Sequence, residues 1–197
     1  MDGDTRETIR AVALELFSNK GFEQTSLREI AERVGLTKAS LYYHYSSKQS
    51  LLLAVVEPVI TGWRTIVDDT ARLEHTPENV RHVVGRCLDV FLRNRSVAGI
   101  FQRDAAGVAV VLGELWDDMV GLGKRLVAWF AGPAPTTADR LRAVAAMEVL
   151  GAVLSSTTYQ DEDEFTEEEM RAVLSQAAMD VLRLSAEPAA SGVRRLG

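Results

Sequence analysis

Several features are absent from this sequence, and each absence excludes a class of protein. The single cysteine, Cys87, rules out an internal disulfide and is expected to be a small core residue. No apolar run reaches about 18 residues and no leader-like segment is present, so neither a membrane span nor a signal peptide is predicted. We expect a cytoplasmic protein that does not contact a membrane.

Signatures of enzymes and of metal sites are also missing. The sequence contains no HExxH, no GxSxG, no P-loop and no paired Cys or His motif. His75 and His82 lie on either side of a predicted helix start, and the acidic run 161–164 has no His or Cys nearby. We therefore expect no catalytic residues, no cofactor and no metal.

The sequence is instead rich in apolar residues with helical spacing. The hydrophobic fraction of 47% suffices for a sizeable core, and no alternating strand pattern appears. The prediction is an all-α fold of about nine helices. Residues 1–46 form a three-helix head, 47–187 a helical bundle that starts with a connecting helix at 47–67, and 188–197 a mobile tail.

The most informative stretch is residues 26–45. Its first half has one apolar helical face, formed by Leu27, Ile30, Ala31 and Val34. Ser26 with Glu29 matches a capping box at the start of this helix, and Gly35 allows a sharp turn at its end. Thr37 caps a second helix, whose outer surface is polar and aromatic.

A helix-turn-helix of this kind suits DNA, although the same pattern also fits an ordinary helical hairpin. The next residues favour DNA, because Ser46 and Gln49 match a second capping box that places Lys48 in the first turn of another helix. A cation there opposes the helix dipole. A phosphate beside Lys48 would explain the arrangement.

The run from Gly21 to Val55 resembles the DNA-binding segment of the tetracycline-repressor (TetR) family. The matching pieces are the Gly-Phe before Thr25-Ser26, the Ile30-Ala31 pair, the Val34-Gly35 turn, Leu41-Tyr42 and the helix start at Lys48. The sequence departs from the family at Tyr45, where many members have phenylalanine. A buried Tyr45 therefore requires a hydrogen-bond partner for its hydroxyl.

The resemblance implies a set of DNA contacts. Phosphates would be held by Thr25, Ser26, Tyr42, His44 and Lys48. The major groove would be contacted by Thr37, Lys38, Ala39, Ser40 and Tyr43. The chemistry of the side chains independently supports Lys38, Ser40 and Tyr43.

The net charge of −6 is unusual for a DNA-binding protein, but the charge is unevenly distributed. Residues 20–48 contain five basic and three acidic residues, while residues 1–48 together are neutral. The remaining 149 residues therefore carry the whole negative charge. This distribution predicts that DNA binding is confined to one face.

The helices that follow are predicted from caps and breaks. Pro58 lies inside the connecting helix and would kink it or remove a hydrogen bond. Thr76-Pro77 starts the next helix, Ser96 caps a shorter one that ends near Gly107, and a long one spans 110–130. Residues 136–159 are apolar all round and should be buried on all sides. Thr166 with Glu169 caps the last helix.

The bundle is expected to bind a ligand and to dimerise. The last two helices offer more apolar surface than a monomer covers, so we assign them to a homodimer interface, as the resemblance also implies. Large side chains could line a cavity with a polar anchor, and together the candidates are Phe91, Phe101, Arg103, Asp104, Trp116, Met119, Leu122 and Trp129.

These features predict a sequence-specific transcriptional regulator. The preferred form is a homodimeric repressor that a small, mostly apolar molecule releases from an inverted-repeat operator. The alternative is a helical protein-interaction module that kept the hairpin without the DNA contacts.

Overall fold

A computed structural model describes residues 2–159 and 165–183, and every regular element in these ranges is an α-helix. The predicted fold class is confirmed. The helices are α1 (Asp2–Lys20), α2 (Leu27–Val34), α3 (Lys38–His44), α4 (Lys48–Thr70), α5 (Pro77–Arg93), α6 (Arg95–Leu112), α7 (Glu114–Phe130), α8 (Thr137–Tyr159) and α9 (Glu167–Leu182). We call α1–α3 the head and α4–α9 the body.

The head is built around the apolar face of α1. Ile9, Ala13 and Phe17 are fully buried there, and α2 packs against them through Ile30. Tyr45 ends α3 and is 5% exposed, and its hydroxyl donates to the Arg6 carbonyl at 3.3 Å. The hydroxyl that distinguishes Tyr45 from phenylalanine thus has the partner that its burial requires.

Helix α4 connects the head to the body. Its capping box is formed by Ser47 and Ser50, so the predicted box of Ser46 and Gln49 is wrong by one position. The sequence offers overlapping serines there, and Ser47 has the extended backbone that a cap needs, with its side chain accepting from the Ser50 amide. The helix continues through Pro58, whose ring lies on the exposed side, to Thr70.

By length and apolar composition alone, α4 could cross a bilayer. We did not predict this, because the sequence contains no long uninterrupted apolar run. The same composition is typical of a helix in a protein core. Five of its apolar side chains are fully buried in this fold, namely Leu51, Leu52, Val55, Val56 and Ile60.

The boundary between α6 and α7 differs from the prediction. Ser96 lies inside α6 rather than at its cap. Asn94, the residue before the first residue of α6, makes no side-chain capping bond. The helix passes through Gly107 and ends at Gly113, where φ is +55° and ψ is −124°. Glycine adopts that conformation without a Cβ clash, so the chain breaks there, and α7 starts at Glu114 instead of Val110.

Helix α8 is not buried on all sides. Ala143, Ala146 and Leu150 are fully buried, but Leu141 is 66% and Val144 is 46% exposed. The other predicted caps, at Thr76 and at Thr166 with Glu169, are confirmed. The expected mobile tail at 188–197 and the acidic run at 161–164 lie outside the described residues.

Cys87 is a buried core residue, as expected. Burial raises the pKa of its thiol to about 12, so the reactive thiolate is scarce at neutral pH.

Candidate nucleic-acid interface

Helix α3 is short and is held in place at both ends. Thr37 Oγ1 accepts the Ser40 amide at 3.1 Å, and the two hydroxyl oxygens lie 2.8 Å apart. Leu41 is fully buried against the rest of the head. A seven-residue helix is not stable alone, so these contacts fix which of its faces points outwards.

The outward face of α3 carries rings, hydroxyls and one cation. Tyr43 is 81% and Tyr42 is 44% exposed. Lys38 Nζ lies 5.7 Å from the centre of the Tyr42 ring, and the Tyr43 ring meets the edge of His44 at 5.3 Å. Thr37, Lys38 and Ala39 are exposed, while Ser40 and His44 are half-buried. The structure thus brings six of the ten predicted DNA contacts together on α3, with a seventh, Thr37, at its cap.

The turn before α3 determines how it is presented. Gly35 has φ of +75°, and its amide and that of Leu36 bond back to carbonyls in the last turn of α2. Leu36 N to Ala31 O is 2.8 Å. This glycine-ended turn lets α3 leave α2 at a sharp angle, which is the geometry of a helix-turn-helix.

Most other cations of the head are paired with carboxylates. Lys20 pairs with Glu29, Arg28 with Glu32 and Arg33 with Glu15. Within the described residues, Lys38 forms no ion pair. Few cations of the described head therefore face outwards without a carboxylate partner.

Ser26 is exposed at the start of α2, and its Oγ accepts the Glu29 amide at 3.1 Å. Only this half of the predicted capping box forms, because the Glu29 carboxylate bonds to Lys20. Among the described residues, the Ser26 hydroxyl donates to no acceptor, so its proton is available for a phosphate.

Thr25 does not lie on the outer surface, so its assignment to a phosphate is corrected. Its side chain is 2% exposed, and its hydroxyl lies 2.9 Å from the Gly21 carbonyl oxygen and 3.3 Å from that of Leu16. Lys48 is half-buried, and its Nζ donates to the Phe22 carbonyl at 2.9 Å and to the Glu23 carbonyl at 3.2 Å. Sequence reasoning missed these internal acceptors.

The predicted ligand residues fall into separate aromatic pairs. Phe101 faces Trp116 with ring centroids 5.8 Å apart. Phe91 packs instead on Trp63 of α4 at 4.9 Å, and Trp129 on His75 at 5.2 Å. Neither Trp63 nor His75 was predicted, and the only signal for Trp63 was its place on the apolar helix α4.

The remaining predicted ligand residues have different surroundings. Leu122 is buried in the core, and Met119 packs partly buried against it. Arg103 Nε donates to the Ser18 carbonyl at 2.7 Å, so this guanidinium bonds to the end of α1 instead of anchoring a ligand. The side chain of Asp104 lies outside what the structure describes.

A cavity of about 320 Å³ lies in the body between the α4–α5 loop, the end of α7, the start of α8 and the end of α9. None of the predicted ligand residues lines it. Its polar lining includes His75, Asp139 and Arg142, and Arg142 is already bonded to Asp139 at 2.8 Å. Among the described residues, no three His, Cys, Asp or Glu side chains are grouped as a metal would require.

Helices α8 and α9 pack on each other and leave apolar side chains exposed. Besides Leu141 and Val144 of α8, Val173 of α9 is 66% exposed. An apolar surface formed by two long neighbouring helices is typical of a protein–protein interface.

The outward polar helix and the glycine-ended turn define a helix-turn-helix DNA-binding protein. Residues 9–55 match the family model described as bacterial regulatory proteins, tetR family. This match covers the head and the start of α4, and the family description names regulatory proteins, in agreement with the expectation that the chain is not an enzyme.

Relatives and solved structures extend the similarity beyond the head. The HTH-type transcriptional regulator RutR of Escherichia coli K12 is 30% identical over 132 residues, which are 64% of this chain and 60% of that protein. The chain thus spans less than two thirds of this relative. A transcriptional regulator from Aquifex aeolicus VF5 has a TM-score of 0.68 at 21% identity, covering 90% of this chain and 99% of its own.

The structure of the ketosteroid transcriptional regulator KstR2 of Mycobacterium tuberculosis resembles this chain to a comparable extent. Its TM-score is 0.71 at 17% identity, with 90% of this chain and 93% of that chain covered. At these identities the two structures establish a shared fold for head and body together.

Proposed function

We propose that the protein is a sequence-specific transcriptional repressor that binds double-stranded DNA as a homodimer. The observation that supports this most directly is the outer face of α3, where Tyr43 is 81% exposed and Lys38 has no carboxylate partner among the described residues. An exposed tyrosine and a lysine on one polar helix face offer a ring and hydrogen-bond donors to base edges and phosphates. A major groove admits one helix of this size.

The proposed contacts follow from the position of each side chain. Lys38, Ser40 and Tyr43 meet base edges, with Thr37 and Ala39 beside them. Ser26, Tyr42 and His44 lie at the margins of this surface and contact phosphates. Few free cations are available, so binding weakens at high salt with a shallow slope.

The homodimer forms through α8 and α9. The exposed Leu141, Val144 and Val173 support this assignment, because a second copy would cover them. A two-fold dimer presents two heads to one duplex, so the operator is an inverted repeat with half-sites about one helical turn, or slightly more, apart.

The operator proposal is tested by selecting bound genomic fragments with the full chain and aligning them. The expected result is an inverted repeat, bound by a protein that sedimentation shows to be dimeric at micromolar concentration. Equal binding to random and genomic DNA at two salt concentrations would instead favour the protein-interaction module. A monomer, or selection of unrepeated sites, would contradict the dimer.

We further propose that a small, mostly apolar molecule binds in the body and releases the operator. The half-buried pair of Phe101 and Trp116 bridges α6 and α7 and supports an apolar site there. The name of KstR2 describes that protein as a ketosteroid regulator, which makes apolar effectors a reasonable first class to test.

A titration with steroids and fatty acids, followed by tryptophan fluorescence, tests this site. Replacing Trp116 with Phe should remove most of the signal, whereas the matched Trp63→Phe variant should keep it. Linkage requires the operator to weaken the ligand by the factor by which the ligand weakens the operator, commonly about 5- to 150-fold. A ligand that changes fluorescence without changing operator affinity would show that the site is not a switch.

A further inference from the structure

Arg6 of α1 is an exposed cation beside the end of α3, and none of the contacts proposed above uses it. Its guanidinium carbon lies 4.8 Å from the centre of the Tyr45 ring. Tyr45 directly follows α3, two residues after Tyr43, whose ring is 81% exposed. The guanidinium therefore lies beside the carboxyl end of the helix that carries the proposed base contacts.

The charge of Arg6 is not neutralised by a carboxylate. Among the described residues, Arg6 forms no ion pair and donates to no hydrogen-bond acceptor. Arg10, one turn further along α1, is instead paired with Glu7. A ring face is not a hydrogen-bond acceptor of the ordinary kind, so the five N–H donors of the Arg6 guanidinium are available for a partner outside the protein.

Tyr45 holds Arg6 at two points. Its hydroxyl donates to the Arg6 carbonyl at 3.3 Å, and its ring lies under the guanidinium. The ring is itself fixed, because Tyr45 is 5% exposed and belongs to the head core. The attraction between cation and ring restricts the long Arg6 side chain before any ligand arrives, which lowers the entropy cost of binding.

We propose that Arg6 binds a phosphate of the operator backbone and that Tyr45 positions it for this contact. The inference rests on the proposed DNA-binding function, and it adds a contact from α1 to those from α2 and α3. A guanidinium suits this ligand because it can donate two parallel hydrogen bonds to one phosphate. Arg6 can do so without first leaving a carboxylate, whereas Arg10 cannot.

The test uses the full chain with Arg6→Met, which keeps an unbranched side chain over the ring and removes the charge and the donors. Operator affinity is measured against salt at a temperature well below unfolding. The slope of log affinity against log salt should become shallower by about two for a dimer, one phosphate for each head. A fourfold rise in salt should then weaken the variant about tenfold less than the wild type. All sequences should lose affinity alike, because a phosphate carries no base identity.

Arg10→Met is the matched control, because it removes the same charge from the same helix at a residue already paired with Glu7. Its salt slope should change much less than that of Arg6→Met. Tyr45→Phe tests the positioning role, since it keeps the ring and removes the bond to the Arg6 carbonyl. It should weaken operator binding a few-fold in the wild-type background and have almost no further effect in the Arg6→Met background.

A wild-type salt slope in Arg6→Met, or an equal change of slope in Arg10→Met, would overturn the phosphate contact. An altered base preference in Arg6→Met would also overturn it, because Arg6 would then meet base edges. Equal losses from Tyr45→Phe in both backgrounds would overturn the positioning role. All three results require a wild-type protein that binds its operator, whereas a wild type that binds no DNA would overturn the proposed function as a whole.

Discussion

Helix α3 and the first turn of α4 are neighbouring polar segments whose side chains are used differently. In α3 the Thr37 and Ser40 hydroxyls bond to each other at the helix start, while Lys38 and Tyr43 point outwards. In α4 the side chains of Lys48, Gln49 and Ser50 all donate to carbonyls of the protein. The difference shows that the polar side chains of a helix start can bond within the protein as well as face outwards.

The two consecutive residues at the start of α4 bind opposite parts of the molecule. Lys48 bonds to the head, whereas Gln49 Nε2 donates to the Val111 carbonyl in the last turn of α6 at 2.7 Å. Successive residues project about 100° apart on a helix, so one turn can contact two neighbours. Head and body are thus joined through adjacent side chains, in addition to the covalent connection.

The largest effects are expected from the exposed face of α3. Tyr43→Ala should weaken the best operator by about 1–3 kcal/mol and relax base preference, because the residue is proposed to meet base edges. Binding to single-base operator variants, measured by fluorescence anisotropy, checks this. Tyr43→Phe isolates the hydroxyl, and unfolding temperatures should stay unchanged because the ring is exposed. Equal losses for all sequences would assign Tyr43 to the DNA backbone.

A smaller effect of a different kind is expected from Thr25. Thr25→Val keeps the shape of the side chain but removes the hydroxyl that bonds the Gly21 carbonyl, which should destabilise the fold by about 1 kcal/mol. For a chain of this size the unfolding temperature falls by about 2–4 °C. Thr25→Ser should restore most of it. Operator affinity at low temperature should not change, and a change in salt slope would return Thr25 to the DNA surface.

The parts of this fold that depend on local sequence could be predicted. Helix starts at Ser26, Thr37, Thr76 and Thr166 were found because a capping hydroxyl bonds within three residues of itself. The start of α4 was predicted one residue too early, since the adjacent Ser46 and Ser47 both fit the pattern of a helix cap. The break at Gly113 was missed because Gly107 carries the same signal, and backbone geometry alone separates them.

The candidate site also has one part that could be predicted from the sequence and another that could not. The outer face of α3 follows from its short sequence and one buried anchor, Leu41. The partners of Lys48 and Arg103 could not be predicted, because their acceptors are carbonyls of distant segments, which carry no signal in the side-chain sequence. The pairing of Phe91 with Trp63 likewise depends on how α4 and α5 pack.

The smallest effect is expected from Gln49. Gln49→Leu removes the donor to the Val111 carbonyl, but Gln49 is exposed and water can replace its amide, so the change in stability should stay within about 0.5 kcal/mol. Thermal unfolding should therefore shift by no more than about 1–2 °C, less than for Thr25→Val. Gln49→Glu is the informative companion, because a carboxylate placed beside the carbonyl is repelled. Operator affinity should be unchanged in both variants without effector. If Gln49→Leu instead weakens operator binding, then the contact with α6 helps to position the head.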